Sequence, residues 1–211
     1  MKLSEILQPL REEIEKDDAV RESVLPLARA AVRKCSESIK EAHRGNYEDA
    51  ARLLAEAKET VGEAASLKKD SKFLMSSRSL DTAYQELTEA ANLLSLLRDG
   101  VYEPPEEYGT PSRAFLTGLA DTVGELRRAV LDSLRNDDVE RAALLLKFME
   151  EILDELGTFD FPNALVPDLR RKCDVARSII ERTRGDLTSA IQQAKLIKEL
   201  KVFEESQGNS R

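Results

Sequence analysis

Four carboxylates carry the sharpest chemical suggestion in this sequence. Glu86 and Glu89 stand three residues apart, Asp121 and Glu125 four apart, and either spacing puts a pair on one face of a helix. Carboxylate oxygens are hard donors. A few of them, completed by water and substrate phosphate, make the ligand set that Mg²⁺ favours, with Mn²⁺ as its substitute. If the two helices lie side by side, the four acids converge at their border, on the flank of each apolar stripe. The spacing alone does not single them out, because Glu12 and Glu15, Glu150 and Asp154, and Glu151 and Glu155 repeat it. Most such pairs are solvated helix faces.

Other chemistries fall away by composition. His43 is the sole histidine, so a catalytic triad or a histidine acid–base pair would hang on one residue, and a di-iron site built from paired Glu-x-x-His motifs cannot form. Near a helix C-terminus, His43 reads as a capping or surface residue. Phosphate-loop and dinucleotide-binding glycine patterns are missing. Cys35 and Cys173 lie far apart, fit no metal spacing and read as reduced thiols of a cytoplasmic protein. No run reaches the ~20 apolar residues of a membrane span, so no membrane partner is expected. The net charge of −8 weighs against nucleic acid, although bases gathered on one surface can override the sum. Candidates for such a surface are Arg33, Lys34, Lys40 and Arg44. Aromatic interleaving is sparse, which favours phosphate contact over base stacking.

The elements that must position these residues are helices. Ala, Leu, Glu, Arg and Lys dominate the 211 residues, with only 9 Gly and 7 Pro, a composition that favours helix. Apolar spacing predicts about seven helices in an antiparallel all-α bundle. The first covers Leu3 to His43, with Pro9 and Pro26 as kinks or starts, and the second is capped by Asn46. The third runs from about Ser71 to Asp99 and carries Glu86 and Glu89. The fourth follows a Thr110-Pro111 cap and carries Asp121 and Glu125. A fifth opens at Asn136-Asp137-Asp138, a sixth runs from Pro167 to Gly185, and a seventh covers Leu187 to Glu204. Residues 1–205 read as a single helical domain and 206–211 as a flexible polar tail. Leu93, Leu96 and Leu97 form a second apolar stripe on the third helix, suited to subunit contact or to the core.

Three stretches resemble the translin family: Tyr84-Gln85-Glu86-Leu87-Thr88-Glu89-Ala90, Gly118-Leu119-Ala120-Asp121-Thr122-Val123-Gly124-Glu125-Leu126, and Leu169-Arg170-Arg171-Lys172-Cys173 continuing to Arg184-Gly185. The resemblance spans roughly Ala30 to Gly185. It implies a seven-helix subunit that assembles into an octameric, barrel-like shell with nucleic acid inside. One branch of the family binds RNA and single-stranded DNA, while the other, the translin-associated factor X branch, is a Mg²⁺-dependent endoribonuclease. The positions matching that branch's catalytic acids are Glu86, Glu89 and Asp121, with Glu125 as a fourth, which aligns this chain with the nuclease. The charged N-terminal extension of the eukaryotic factor is missing, so a compact archaeal homologue forming a homo-octamer is expected. Its substrate would be RNA and its cofactor Mg²⁺. The alternatives are a non-catalytic holder of RNA or single-stranded DNA, and a helical scaffold with no nucleic acid.

Overall fold

A computed structural model describes residues 2–208, giving the backbone alone at residues 72, 203 and 205–208. The described residues are helical, without a strand: α1 (Leu3–His43), α2 (Tyr47–Lys68), α3 (Lys72–Ser76), α4 (Asp81–Arg98), α5 (Ser112–Arg135), α6 (Val139–Gly157) and α7 (Leu169–Gly208), with a 3-10 turn at Pro105–Tyr108. None of these helices is long and apolar enough to cross a membrane. The expected polar tail, Ser206 to Arg211, lies outside the described residues beyond the end of α7 at Gly208.

The number of helices matches expectation, but two boundaries differ. The predicted third helix is two, α3 and α4, divided at Ser77, whose backbone is extended. The Ser77 hydroxyl donates to the Leu74 carbonyl (2.9 Å) and to the Ser79 hydroxyl (3.1 Å), the local bonding by which serine competes with a helix. The predicted sixth and seventh helices are one. A glycine in a helix costs only about 1 kcal/mol relative to alanine, and the turn around Gly185 is held from outside. Arg127 donates to Thr183 (2.7 Å) and to Asp186 (2.9 Å), and Leu187 is buried. Pro9 and Pro26 do not break α1, which continues through both.

The chain divides into two compact units, residues 1–119 and 120–211. In the first, α1 packs against both α2 and α4, and α2 against α4. The seam is built largely from small residues: Ala28, Ala31, Cys35 and Ala42 of α1, Ala50, Ala57 and Ala64 of α2, and Ala83, Ala90 and Ala91 of α4 are all buried. Short side chains let helix axes approach, and Val24, Leu54, Val61 and Leu87 add the apolar area that drives the packing. Leu93, Leu96 and Leu97 are buried too, so they serve the interior of the chain and not a subunit contact.

In the second unit α6 packs along α7, burying Leu145, Met149 and Ile152 of the one and Leu169, Cys173, Ala176 and Ile180 of the other. Asp138 caps α6 by accepting the Arg141 amide at 2.9 Å, as predicted for that opening. Asn46 stands at the N-cap of α2, but its side chain donates to Glu41 (2.7 Å) instead of accepting from the helix.

Candidate acidic site

In the first unit the site begins with the placement of α4. Arg78 and Arg113 both donate to Asp81, at 2.7 and 3.1 Å, which pins the start of α5 to the start of α4. One turn further along, the helices approach so closely that a Cβ added at Gly118 would lie 2.5 Å from the Gln85 carbonyl oxygen and 2.8 Å from Thr88 Cβ. Thr117 donates to the Gln85 side chain at 3.3 Å. Gly118 is therefore the residue of the second family-like stretch that lets α5 meet the first one. Its role was not evident from the sequence, where it stood as one more glycine in a helix.

Glu86 and Glu89 follow Gln85 on α4, and both are half-buried. Beneath them lies the Cys35 thiol of α1, fully buried and pushed up to about 12, first by burial and then by the charges of Glu86 and Glu89. Two carboxylates held over an apolar floor set up a negative potential that reaches the interior. That is the electrostatic character of a cation-binding face.

In the second unit Asp121 and Glu125 lie one turn apart on α5 and are likewise half-buried, with side chains 28% and 27% exposed. Asp121 is gripped by Lys172 of α7. The lysine Nζ is 2.5 Å from each carboxylate oxygen. Lys172 is positioned by the start of α7, where Asp168 adopts a left-handed backbone that aspartate tolerates better than most residues. The Asp168 carbonyl accepts the Lys172 amide at 2.9 Å. Beside the pair is a cleft of about 150 Å³ lined by Gly124, Arg171, Val175 and Ile179 among others. Glu125 faces Arg128 at 3.9 Å. Sequence reading had placed Lys172 only within a run of bases; the helix register of α7 gives it a specific carboxylate.

The two pairs thus belong to different units, and among the described residues no three His, Cys, Asp or Glu side chains are gathered into a ready metal site. The donor chemistry nevertheless suits a hard cation. All four groups are oxygen ligands, and at Asp121 an ammonium already stands where a cation would sit. A larger cleft of about 560 Å³ lies apart from the acids, around Phe159, Phe161, Arg170 and Arg177. Its volume does not make it the reactive centre, since it contains none of the four.

The candidate phosphate-binding bases separate on inspection. Arg33 and Lys40, seven residues apart on one face of α1, are exposed. Lys34 is engaged by Glu56 (3.4 Å) and Thr60 (3.3 Å), and Arg44 by Glu41 (2.6 Å). His43 is half-buried in the last turn of α1.

Comparison with known proteins follows the same lines. A family model described as the Translin family matches residues 4–184. An uncharacterized protein of Methanocaldococcus jannaschii is 35% identical over 186 residues, covering 87% of this chain and 82% of that protein. Among solved structures, the chain is similar to AfC3PO in its complex with duplex RNA (33% identity, 90% of this chain and 98% of that one, TM-score 0.82). It is also similar to AfC3PO in a second crystal structure (33%, the same coverage, TM-score 0.79). Apo-NeC3PO, at 22% identity with the same coverage and a TM-score of 0.79, shares the fold.

Proposed function

The chain belongs to the translin family, and on that premise we propose that it binds RNA and hydrolyses its phosphodiester bonds with Mg²⁺ held by Glu86, Glu89, Asp121 and Glu125. The observation that carries the reading is the cation already seated on Asp121: both oxygens of this half-buried carboxylate close on the Lys172 ammonium. Half-burial of the other three acids points the same way, since an unpaired surface glutamate has no reason to be drawn against the protein. A divalent ion on such a site polarises the phosphoryl group, lowers the pKa of a bound water and offsets charge on the leaving oxygen.

The chain's own side chains supply the remainder. Glu86 and Glu89 present oxygens from consecutive turns of α4, held by the Gly118 contact that keeps α4 and α5 in register. Arg33 and Lys40, with no ion pair to give up, contact successive phosphates through charge alone, which serves single-stranded DNA as well as RNA. The similarity to a protein solved with duplex RNA supports RNA as the polymer. We further propose a homo-octamer, in which the exposed apolar residues Leu3, Ile6, Leu7, Leu10 and Ile14 of α1 are covered by other copies.

A second reading is a holder of RNA that does not cut it. It is favoured by the engagement of Asp121 with Lys172. Labelled RNA incubated with the pure protein, in Mg²⁺ or in EDTA, separates the two. Cleavage lost in EDTA supports the nuclease, a mobility shift without cleavage supports the holder, and neither result removes nucleic acid from the function. Glu86→Ala and Asp121→Ala are each expected to lower cleavage by at least about a hundredfold, the scale of losing a transition-state electrostatic contact, with helicity by circular dichroism unchanged. Full activity in both variants would take these acids out of the mechanism.

A further inference from the structure

We infer that Lys172 is a built-in competitor for the cation site at Asp121, so that a divalent ion gains this carboxylate only by displacing the lysine. The inference rests on the reading of Asp121 as a metal-binding acid and adds a residue that controls its loading. Three features lead to it. The first is symmetry. Nζ is equally distant, at 2.5 Å, from both Asp121 oxygens, which centres the ammonium on the carboxylate in the position of a bidentate cation, whose metal–oxygen distances run to about 2.6 Å.

The second is burial. The Lys172 side chain is 15% exposed and that of Asp121 28%, so the pair is screened less than the many fully exposed pairs of this chain and is worth more than the ~0–1 kcal/mol of a surface bridge. A cation arriving from solvent must overcome that attraction.

The third is room to leave. The neighbouring cleft of about 150 Å³ has space for several waters at about 30 Å³ each. Gly124, one turn beyond Asp121, leaves it open, for a side chain at Gly124 would meet nothing within 4 Å. The other cation lining the cleft, Arg171, faces Asp168 at 3.6 Å and so does not replace Lys172 on Asp121. A lysine suits this part better than an arginine. Its ammonium is a single charge on a flexible stem, readily exchanged for water, whereas a guanidinium would lock on through a two-pronged contact.

The test is calorimetric titration of the full-length protein with MnCl₂ alone, without RNA. Lys172→Met is expected to bind Mn²⁺ at least about tenfold more tightly than wild type, the change that corresponds to removing a competing contact of roughly 1.4 kcal/mol. Lys172→Arg, which restores a cation on Asp121, is expected to bind no more tightly than wild type. Asp121→Asn added to Lys172→Met should abolish the gain. Lys172→Gln, neutral but still a hydrogen-bond donor, takes the place of Lys172→Met if the latter does not fold. Equal or weaker Mn²⁺ binding by the neutral variants, with wild type binding measurably, overturns the competition while leaving the metal reading in place. Absence of Mn²⁺ binding in wild type and variants alike removes the metal reading and the competition with it.

Discussion

At Cys35, packing on α1 and charge on α4 meet in one side chain. The thiol would normally ionise near 9, but burial and the charges of Glu86 and Glu89 hold it protonated up to about 12. A group whose folded pKa is raised contributes stability that is complete below the unfolded value and is lost as pH climbs through the folded one. Denaturant midpoints of the protein should therefore fall as pH rises from about 9 towards 12. In Cys35→Ala that fall should be shallower. It should not vanish, because Tyr108 is also pushed up to about 12, by burial and then by Glu103 and Glu107. An identical pH slope in the variant would show that Cys35 does not feel the acids above it. At this scale the acids themselves were legible in the sequence, because residue type and spacing are all that a helix face requires. The partner of Asp121 was not: Lys172 lies 51 residues away, and no periodicity links the two.

Among the elements, the contact of α4 with α5 is the one that decides the site. Gly118 allows it, since any side chain there would press on the Gln85 backbone oxygen at 2.5 Å, and backbone cannot swing aside. Gly118→Ala should cost about 1–3 kcal/mol, the usual range for an overpacked interior, read as a lowered thermal midpoint. Gly124→Ala, where the added carbon meets nothing within 4 Å, should be neutral or slightly stabilising through helix propensity. Equal effects at the two glycines would deny the close approach. Helix number and the faces of α1, α2, α5 and α6 were legible from apolar spacing. The break between α3 and α4 and the unbroken run of α7 were not, because each depends on side-chain bonding that propensity does not include: Ser77 with Leu74 in the one case, Arg127 with Asp186 in the other.

For the whole molecule the instructive surface is the outer half of α1. Leu3, Ile6, Leu7, Leu10 and Ile14 recur at helical spacing and are exposed, and a contiguous apolar stripe of this kind marks an interaction surface. Under the proposed assembly, Leu7→Asp with Leu10→Asp should reduce the mass measured by light scattering, while helicity stays constant because neither residue supports the fold of the single chain. An unchanged mass would clear this stripe of any part in assembly, and a wild-type monomer would end the proposal of a shell. The sequence offered Leu93, Leu96 and Leu97 for that task, yet all three are buried. A wide apolar stripe on a helix packed from several sides looks the same in sequence whether it faces a neighbouring helix or another molecule.

The sequence by itself determined that this protein is helical, that its chemistry must run through oxygen ligands, and which acids share a helix face. These properties follow from composition and from a period of 3.6 residues, both local along the chain. Tertiary structure alone decided that Gly118 brings α4 and α5 into contact, that Cys35 lies under Glu86 and Glu89, and that Lys172 occupies Asp121. Each of these joins residues distant in sequence, and the free energy of such a contact depends on burial and neighbouring charge, which exist only once the chain has folded.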